Sequence, residues 1–234
     1  MNKKIVLVTG GSSGLGYELA KKHVLLGDNV CVLGRSEERL KEAATNLQTL
    51  STDGSVLSEV CNVADEESVK RVFSLLAEEG YRLSVVYNVA GVGRYSEPEN
   101  VTKQMIDELL EANFIGLIVV STQVLPLMKD NGGTIVNVMS SAAKKANPFE
   151  TVYCGVKWGA RGYTEALAAA LKGSPIRVLA VYPGGMNTPF WCEESGLNPD
   201  VSKFMQPDEV AEAIISSVAD RNSLKVTELS IDRK

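Results

Sequence analysis

The chain of 234 residues has a single histidine, His23, and only four cysteines, Cys31, Cys61, Cys154 and Cys192. The cysteines are dispersed with no metal-ligand spacing, so no metal site is expected and they read as reduced thiols of a cytoplasmic protein. His23 lies in the first helical stretch, far in sequence from every other candidate, which argues against a histidine-based catalytic triad. A formal net charge of −5 gives no electrostatic reason to bind nucleic acid or an anionic membrane. No apolar run approaches the ~20 residues that span a bilayer. Lys3-Lys4 followed by Ile5-Val6-Leu7-Val8 has too short an apolar region for a signal peptide. Internal repeats, low-complexity tracts and linkers are also missing, so one domain over residues 1–234 is expected.

What is present alternates. Apolar runs suited to buried strands fall at Lys4–Thr9, Asn29–Leu33, Ser55–Cys61, Leu83–Asn88, Gly133–Met139, Ile176–Tyr182 and near Lys225–Ile231. Helical stretches separate them at Leu15–Leu26, Glu37–Leu50, Glu66–Glu79, Thr102–Met128, Val152–Lys172 and Pro207–Ala219. This pattern predicts an α/β fold, a Rossmann-type doubly wound parallel sheet of about seven strands with helices on both faces. Its ligand is expected beyond the carboxyl ends of the strands.

The first strand runs straight into Thr9-Gly10-Gly11-Ser12-Ser13-Gly14-Leu15-Gly16 and then into a helix. Glycines let the backbone turn tightly and approach a ligand, while free N–H groups and the helix dipole favour an anion. Strand, glycine turn and helix therefore predict a phosphate cradle. The spacing differs from the commoner Gly-x-Gly-x-x-Gly fingerprint. Further along, Tyr153 and Lys157 stand four residues apart, which puts both side chains on one helix face. A free tyrosine titrates near ~10, and a neighbouring ammonium favours its phenolate. Such a phenol can exchange a proton with a carbonyl or alcohol oxygen.

With these two segments the chain resembles the short-chain dehydrogenase/reductase family over nearly its whole length. Thr9 to Gly16 matches that family's cofactor loop, and Asn88-Val89-Ala90-Gly91 resembles its Asn-Asn-Ala-Gly element, with Val89 in place of the second Asn. Asn113 stands where the family has its proton-relay asparagine. Ser140 precedes Tyr153 by the family's usual separation for the catalytic serine, with Ser141 as its nearest rival. Pro183-Gly184 with Thr188 resembles the segment that closes over the nicotinamide. The resemblance implies a catalytic set of Asn113, Ser140, Tyr153 and Lys157. It implies a cofactor site built from Gly10, Ser12, Ser13, Gly14, Leu15, Gly16, Gly34, Arg35, Asn62, Val63, Asn88, Ala90 and Gly91, with Tyr153, Lys157, Pro183, Gly184 and Thr188. In the implied mechanism Ser140 holds the substrate oxygen, Tyr153 protonates it, Lys157 lowers the Tyr153 pKa, and Asn113 holds a relay water.

In such a fold an acid at the end of the second strand accepts from the ribose of NAD, whereas an Arg accommodates the 2′-phosphate of NADP. Here Gly34 takes the acid's place and Arg35 follows, with a fork geometry suited to phosphate. Ser36 and Arg39 are neighbouring contacts. The competing reading gives Glu37 or Glu38 the ribose, but Ser36-Glu37-Glu38 reads better as a helix cap with first-turn acids. NADP (as NADPH) is the expected cofactor. Asn62, where relatives commonly have Asp, can still accept from the adenine amine.

The expected activity is NADP(H)-dependent oxidation and reduction of a small carbonyl or alcohol. The alternatives are an NAD-dependent alcohol dehydrogenase and a non-catalytic NADP sensor. The resemblance implies a substrate pocket drawn from Val92, Arg94 and Tyr95, from Ala142 to Glu150 and from the lid after Thr188; Phe149, Met186, Phe190 and Trp191 suggest that it is largely apolar and takes an aromatic or aliphatic carbonyl, with residues 189–205 as a mobile lid. Arg94 reads as a solvated loop arginine, with substrate carboxylate binding as the rival. Trp158, Ala166, Ala169 and Ala170 offer a packing face, and a homodimer or homotetramer is expected.

Overall fold

The computed structural model describes residues 3–219 and 223–234. Seven strands form one sheet: β1 (Lys3–Thr9), β2 (Asn29–Gly34), β3 (Val56–Val60), β4 (Tyr81–Asn88), β5 (Gly133–Val138), β6 (Ile176–Pro183) and β7 (Glu228–Ile231). Their order is β3-β2-β1-β4-β5-β6-β7, and every neighbouring pair is parallel. The chain is thus a doubly wound α/β fold, as its alternation predicts. The order reverses between β1 and β4, and a crevice opens there at the carboxyl ends of the strands.

Side chains alternate across each strand, so one sequence run feeds two cores. Val6, Val8, Val30 and Val32 face α1 (Gly14–Leu25) and α7 (Pro207–Val218), meeting Leu15, Leu19, Val210 and Ile214. Their neighbours Ile5, Leu7, Cys31 and Leu33 face the other way, with Val69, Val72 and Phe73 of α3 (Glu66–Glu78) and with Val120 and Val124. Strands buried on both sides need this continuous apolar character. Helix α2 (Glu37–Leu50) begins at Ser36, whose hydroxyl accepts from the Arg39 N–H, with Glu37 and Glu38 in the first turn.

Most boundaries shift by one or two residues, and two elements depart further from expectation. The last strand starts at Glu228, not Lys225. The stretch expected as one helix, Thr102–Met128, is α4 (Lys103–Leu110), a π-helical turn at Glu111–Ile115, and α5 (Gly116–Met128). Each flank keeps its own helical pattern and the π turn changes only their relative phase, so the stretch still reads as helical throughout. Lys103–Met128 is also a continuous 26-residue helix long and apolar enough to cross a bilayer by length and composition, contrary to the reading of apolar runs. Its Val120, Val124 and Met128 are fully buried against the sheet, while Ile115 and Leu127 are exposed. Helix α6 (Thr151–Ala170) follows β5 and carries the Tyr153–Lys157 pair.

Candidate active site

The crevice beyond β1 and β4 is a cleft of about 930 Å³. Its floor is the glycine turn. The Thr9 hydroxyl donates to the Tyr87 carbonyl (3.2 Å) and accepts from the N–H groups of Val89 (2.9 Å) and Ala90 (3.0 Å), so it binds the ends of β1 and β4 together. Gly10 adopts φ +66°, and a Cβ there would lie 3.0 Å from the Ala90 Cα. A Cβ on Gly16 would overlap the Gly10 carbonyl oxygen. The first turn of α1 has no acidic residue, and its cap Ser13 spends no side-chain bond on the helix. Its N–H groups are therefore left for an anion. Ser12, Ser13, Gly14, Leu15 and Gly16 all line the cleft.

At one end of the cleft lie Gly34, Arg35, Ser36 and Arg39. Both guanidinium groups are exposed and neither forms an ion pair among the described residues. Glu37 and Glu38 do not line the cleft. Asn62 and Val63 do, but the Asn62 Oδ1 already accepts from the Ala64 N–H (3.2 Å), which closes a small turn. Val63 packs into the space left by Gly116, where a Cβ would lie 2.5 Å from it.

At the other end stand Asn113, Ser140, Tyr153 and Lys157. Asn113 lies in the π turn and donates to the carbonyls of Val92 and Leu109, both at 3.0 Å. Its Oδ1 is buried with no partner. That oxygen would be 2.5 Å from a Cβ on Gly91, and the Lys157 Nζ 3.8 Å from the same point, so only glycine lets the two converge. The Ser140 hydroxyl accepts from the Ala142 N–H (3.1 Å), which fixes it at the start of a short turn. Ser141 lines the cleft beside it.

Burial decides the electrostatics here. Tyr153 is 6 % exposed and Lys157 5 %. Removal from water pushes the Tyr153 phenol well above its ordinary range, and hydrogen bonding from Ser140 and Tyr95 pulls it part of the way back. Burial alone lowers the Lys157 ammonium to about 8. Lys157 lies 5.6 Å from the Tyr153 ring centre and is not among the groups that move its pKa. The expected depression of Tyr153 by Lys157 is thus corrected: desolvation wins, and hydroxyls supply the opposing effect. A phenol held protonated at neutral pH is suited to give a proton.

Pro183 closes β6, and the Gly184 N–H donates to Ile231 (2.8 Å). Thr188 packs over Gly14, 3.3 Å from where a Cβ would stand. Beyond it, Phe190 and Trp191 fold over Tyr153 and Tyr95, and the Trp191 Nε1–H donates to the Met186 carbonyl (3.0 Å). Phe149, at the rim, is 44 % exposed with φ 63°.

Two side chains stand elsewhere than the sequence suggested, and a third, His23, where it did. Asn88 does not line the cleft; it is buried beneath it and donates to Ser121 (3.1 Å) and to Asn137 (2.8 Å), bracing β4 against α5 and β5. The amide nitrogen is satisfied by those partners while its Oδ1 has none, so the side chain stands beneath the cleft and not in its wall. Arg94 is not a solvated arginine: its Nε donates to Glu108 at 2.6 Å, and its guanidinium reaches Glu194 at 3.7 Å. His23 is buried in α1 between Asp28 (2.7 Å) and the Tyr87 hydroxyl (2.8 Å), away from the cleft. The sequence named Tyr95 as a pocket residue but carried no signal that it meets Tyr153.

A parallel sheet with a glycine cradle at its switch point and a serine, tyrosine and lysine at the same crevice is the architecture of a dinucleotide-dependent oxidoreductase. The family model for short chain dehydrogenase matches residues 4–196, and the chain belongs to that family, whose members act on CH–OH and C=O groups. It is 31% identical over 228 residues to the 3-oxoacyl-[acyl-carrier-protein] reductase FabG of Thermotoga maritima, covering 94% of this chain and 92% of that one. It is 30% identical to the D-threitol dehydrogenase of Mycolicibacterium smegmatis, over 94% and 87% of the two chains. Among solved structures, a short-chain dehydrogenase/reductase from Vibrio parahaemolyticus superposes with a TM-score of 0.84 at 30% identity, covering 98% of this chain and 100% of that one. The fold is also that of an alcohol dehydrogenase from the archaeon Thermococcus sibiricus complexed with 5-hydroxy-NADP, with a TM-score of 0.88, 24% identity and coverage of 98% and 96%.

Proposed function

We propose that the protein is an NADP(H)-dependent reductase of a small carbonyl compound, with Tyr153 as the proton donor. The observation that carries this reading is one cleft with the glycine cradle and Arg35 at one end and Ser140, Tyr153 and Lys157 at the other. The cradle fits a dinucleotide, because glycine at Gly10 and Gly16 lets the turn close against Ala90 and on itself, with the helix N-terminus left open to the cleft. Arg35, with Arg39 beside it, offers unpaired cation to a 2′-phosphate, and no carboxylate faces it from Gly34. The bound cofactor would supply hydride.

The chain's own residues supply position and protons. Ser140, fixed by the Ala142 N–H, would hydrogen-bond the carbonyl oxygen and stabilise the charge that develops on it. Tyr153 keeps its proton at neutral pH and would pass it to that oxygen. Lys157 would hold the ribose hydroxyls, and its pKa of about 8 suits a group that returns a proton near neutral pH. The unpartnered Asn113 Oδ1, close to Lys157 across Gly91, is an acceptor ready for the water of a relay.

The aromatic walls at Tyr95, Phe149, Phe190 and Trp191 favour an aromatic or aliphatic carbonyl substrate. Exposed Trp158, Ala166, Ala169 and Ala170 on α6 and Ile115 and Leu127 on the preceding helix favour a homodimer or homotetramer. We place the protein in the cytoplasm, as one domain over residues 1–234.

Fluorescence titration with NADPH and NADH, followed by a panel of aldehydes, ketones, diketones and hydroxy acids, tests the reading. Tight NADPH binding with turnover of a panel carbonyl is the expected result. NADH preference would transfer the assignment to an NAD-dependent alcohol dehydrogenase. Binding without turnover would favour a sensor. A Tyr153→Phe variant that keeps more than a tenth of wild-type turnover would sink the mechanism.

A further inference from the structure

The turn that carries Ser140 is tied to the sheet by Lys144, a side chain outside the cleft. Residues 140–145 form one hydrogen-bonded unit. The Ser140 carbonyl accepts from the Ala143 N–H (3.0 Å), and the Ser141 carbonyl accepts from the N–H groups of Lys144 (2.9 Å) and Lys145 (3.2 Å). At its near end the unit hangs from β6, where the Met139 N–H donates to the Val181 carbonyl (2.8 Å). At its far end stands Lys144.

The Lys144 ammonium donates to the Ser230 hydroxyl (2.8 Å) and to the Glu228 carboxylate, and it lies 4.0 Å from the centre of the Tyr182 ring. Tyr182 pairs with Ser230 across β6 and β7, and Glu228 is two residues before Ser230, so the three side chains share one sheet face. The ring attracts the cation as the carboxylate does. These anchors are themselves fixed, because β7 is held to β6 by the Ala180 N–H on the Thr227 carbonyl (3.1 Å) and the Gly184 N–H on the Ile231 carbonyl (2.8 Å). The Tyr182 ring also meets α6, where the Arg161 guanidinium lies 6.0 Å from its centre, one turn beyond Lys157. One ring thus receives a cation from the Ser140 turn and another from the helix of Tyr153 and Lys157.

We propose that Lys144 is a positioning residue for Ser140: anchored on Glu228, Ser230 and Tyr182, it fixes the 140–145 turn and with it the hydroxyl that holds the substrate oxygen. This rests on Ser140 holding that oxygen during reduction. None of Lys144, Tyr182, Glu228 and Ser230 lines the cleft, so Lys144 can act on the reaction only through the turn it fixes. Without its anchor the turn keeps its internal hydrogen bonds but is free to rock about Met139, and the Ser140 hydroxyl moves with it.

The test is a double-mutant cycle on kcat for NADPH-dependent reduction of the panel carbonyl that wild type turns over fastest. Lys144→Met should lower kcat about tenfold, since a displacement of ~1 Å in a positioned group costs up to ~100-fold. KM for NADPH should stay within about twofold, because the glycine cradle lies at the other end of the cleft. In a Ser140→Ala background the same substitution should change kcat by less than about twofold, because the group it positions is gone. Lys144→Arg should restore kcat, since a guanidinium serves a carboxylate, a hydroxyl and an aromatic face. Should Lys144→Met fail to fold, Glu228→Gln carries the same cycle, with a fall of about threefold expected from loss of one charged anchor. A kcat for Lys144→Met within about twofold of wild type, or a loss that recurs in full in the Ser140→Ala background, overturns the proposal and leaves the reductase standing. A Ser140→Ala variant with wild-type kcat would instead remove the role of Ser140, and this proposal with it.

Discussion

Gly16 lies directly against the carbonyl oxygen of Gly10, with no room between them for a methyl group. The contact closes the turn between β1 and α1 and leaves the helix N-terminus open to the cleft. Gly16→Ala must push the turn apart, at a cost of about 1–3 kcal/mol from overpacking. Thermal melting should fall by several degrees, and fluorescence titration should show NADPH binding weakened at least tenfold. Normal binding by the variant would show that the turn does not hold the phosphates.

Arg35 carries the cofactor choice. Arg35→Ala should weaken NADPH binding by roughly 10–100-fold, the worth of one or two charge-assisted hydrogen bonds. NADH binding should change less than twofold. Equal losses for both would mean that the guanidinium does not read the 2′-phosphate.

Lys157 makes a prediction about stability as well as activity. Its pKa falls from 10.5 to about 8 on folding, so between these values the unfolded chain binds the extra proton and stability rises with pH. Below about pH 8 the buried ammonium costs about 3 kcal/mol. Lys157→Met should be inactive yet more stable than wild type at neutral pH, with the gap closing between about pH 8 and 10.5. Urea unfolding at several pH values reads this directly. A gap that widens with pH would reverse the sign and refute it.

Arg94 is already committed to Glu108 and Glu194. Arg94→Met should therefore raise KM for neutral carbonyls and for their carboxylate-bearing analogues by similar factors, through displacement of the loop. A selective loss of more than tenfold for the carboxylates would restore its role in reading substrate charge.

Phe149 holds a left-handed backbone conformation that a bulky residue rarely adopts, at a cost of about 1–2 kcal/mol. Phe149→Gly should relieve that strain, so that melting temperature holds or rises while KM for an aromatic ketone increases. A clear fall in melting temperature with unchanged KM would assign the ring to packing alone.

The sheet and the glycine turn were legible because they rest on local rules. Residues such as Val6 and Ile5 sit on strands buried on both faces, and Gly10 and Gly16 answer to backbone geometry. Asn88 was misplaced for the opposite reason. Its partners Ser121 and Asn137 lie 33 and 49 residues away, and nothing in the local pattern separates an amide facing the cleft from one bracing the strands below it. Arg94 met the same limit, since Glu108 and Glu194 come from two other segments. Burial is also a property of the whole fold, so the sequence paired Lys157 with Tyr153 correctly but misjudged which force dominates their protonation.

The π turn at Glu111–Ile115 ties the packing of one half of this helix to the aim of the other. A regular helix advances ~100° per residue, so one surplus residue puts the halves on either side about that far out of phase. The core face of α5 and the aim of Asn113 are then correct together only while the surplus is kept. Removing one residue of this turn other than Asn113 would restore an ordinary helix and force a choice. Either Val120 and Val124 leave the sheet, or Asn113 swings away from Lys157.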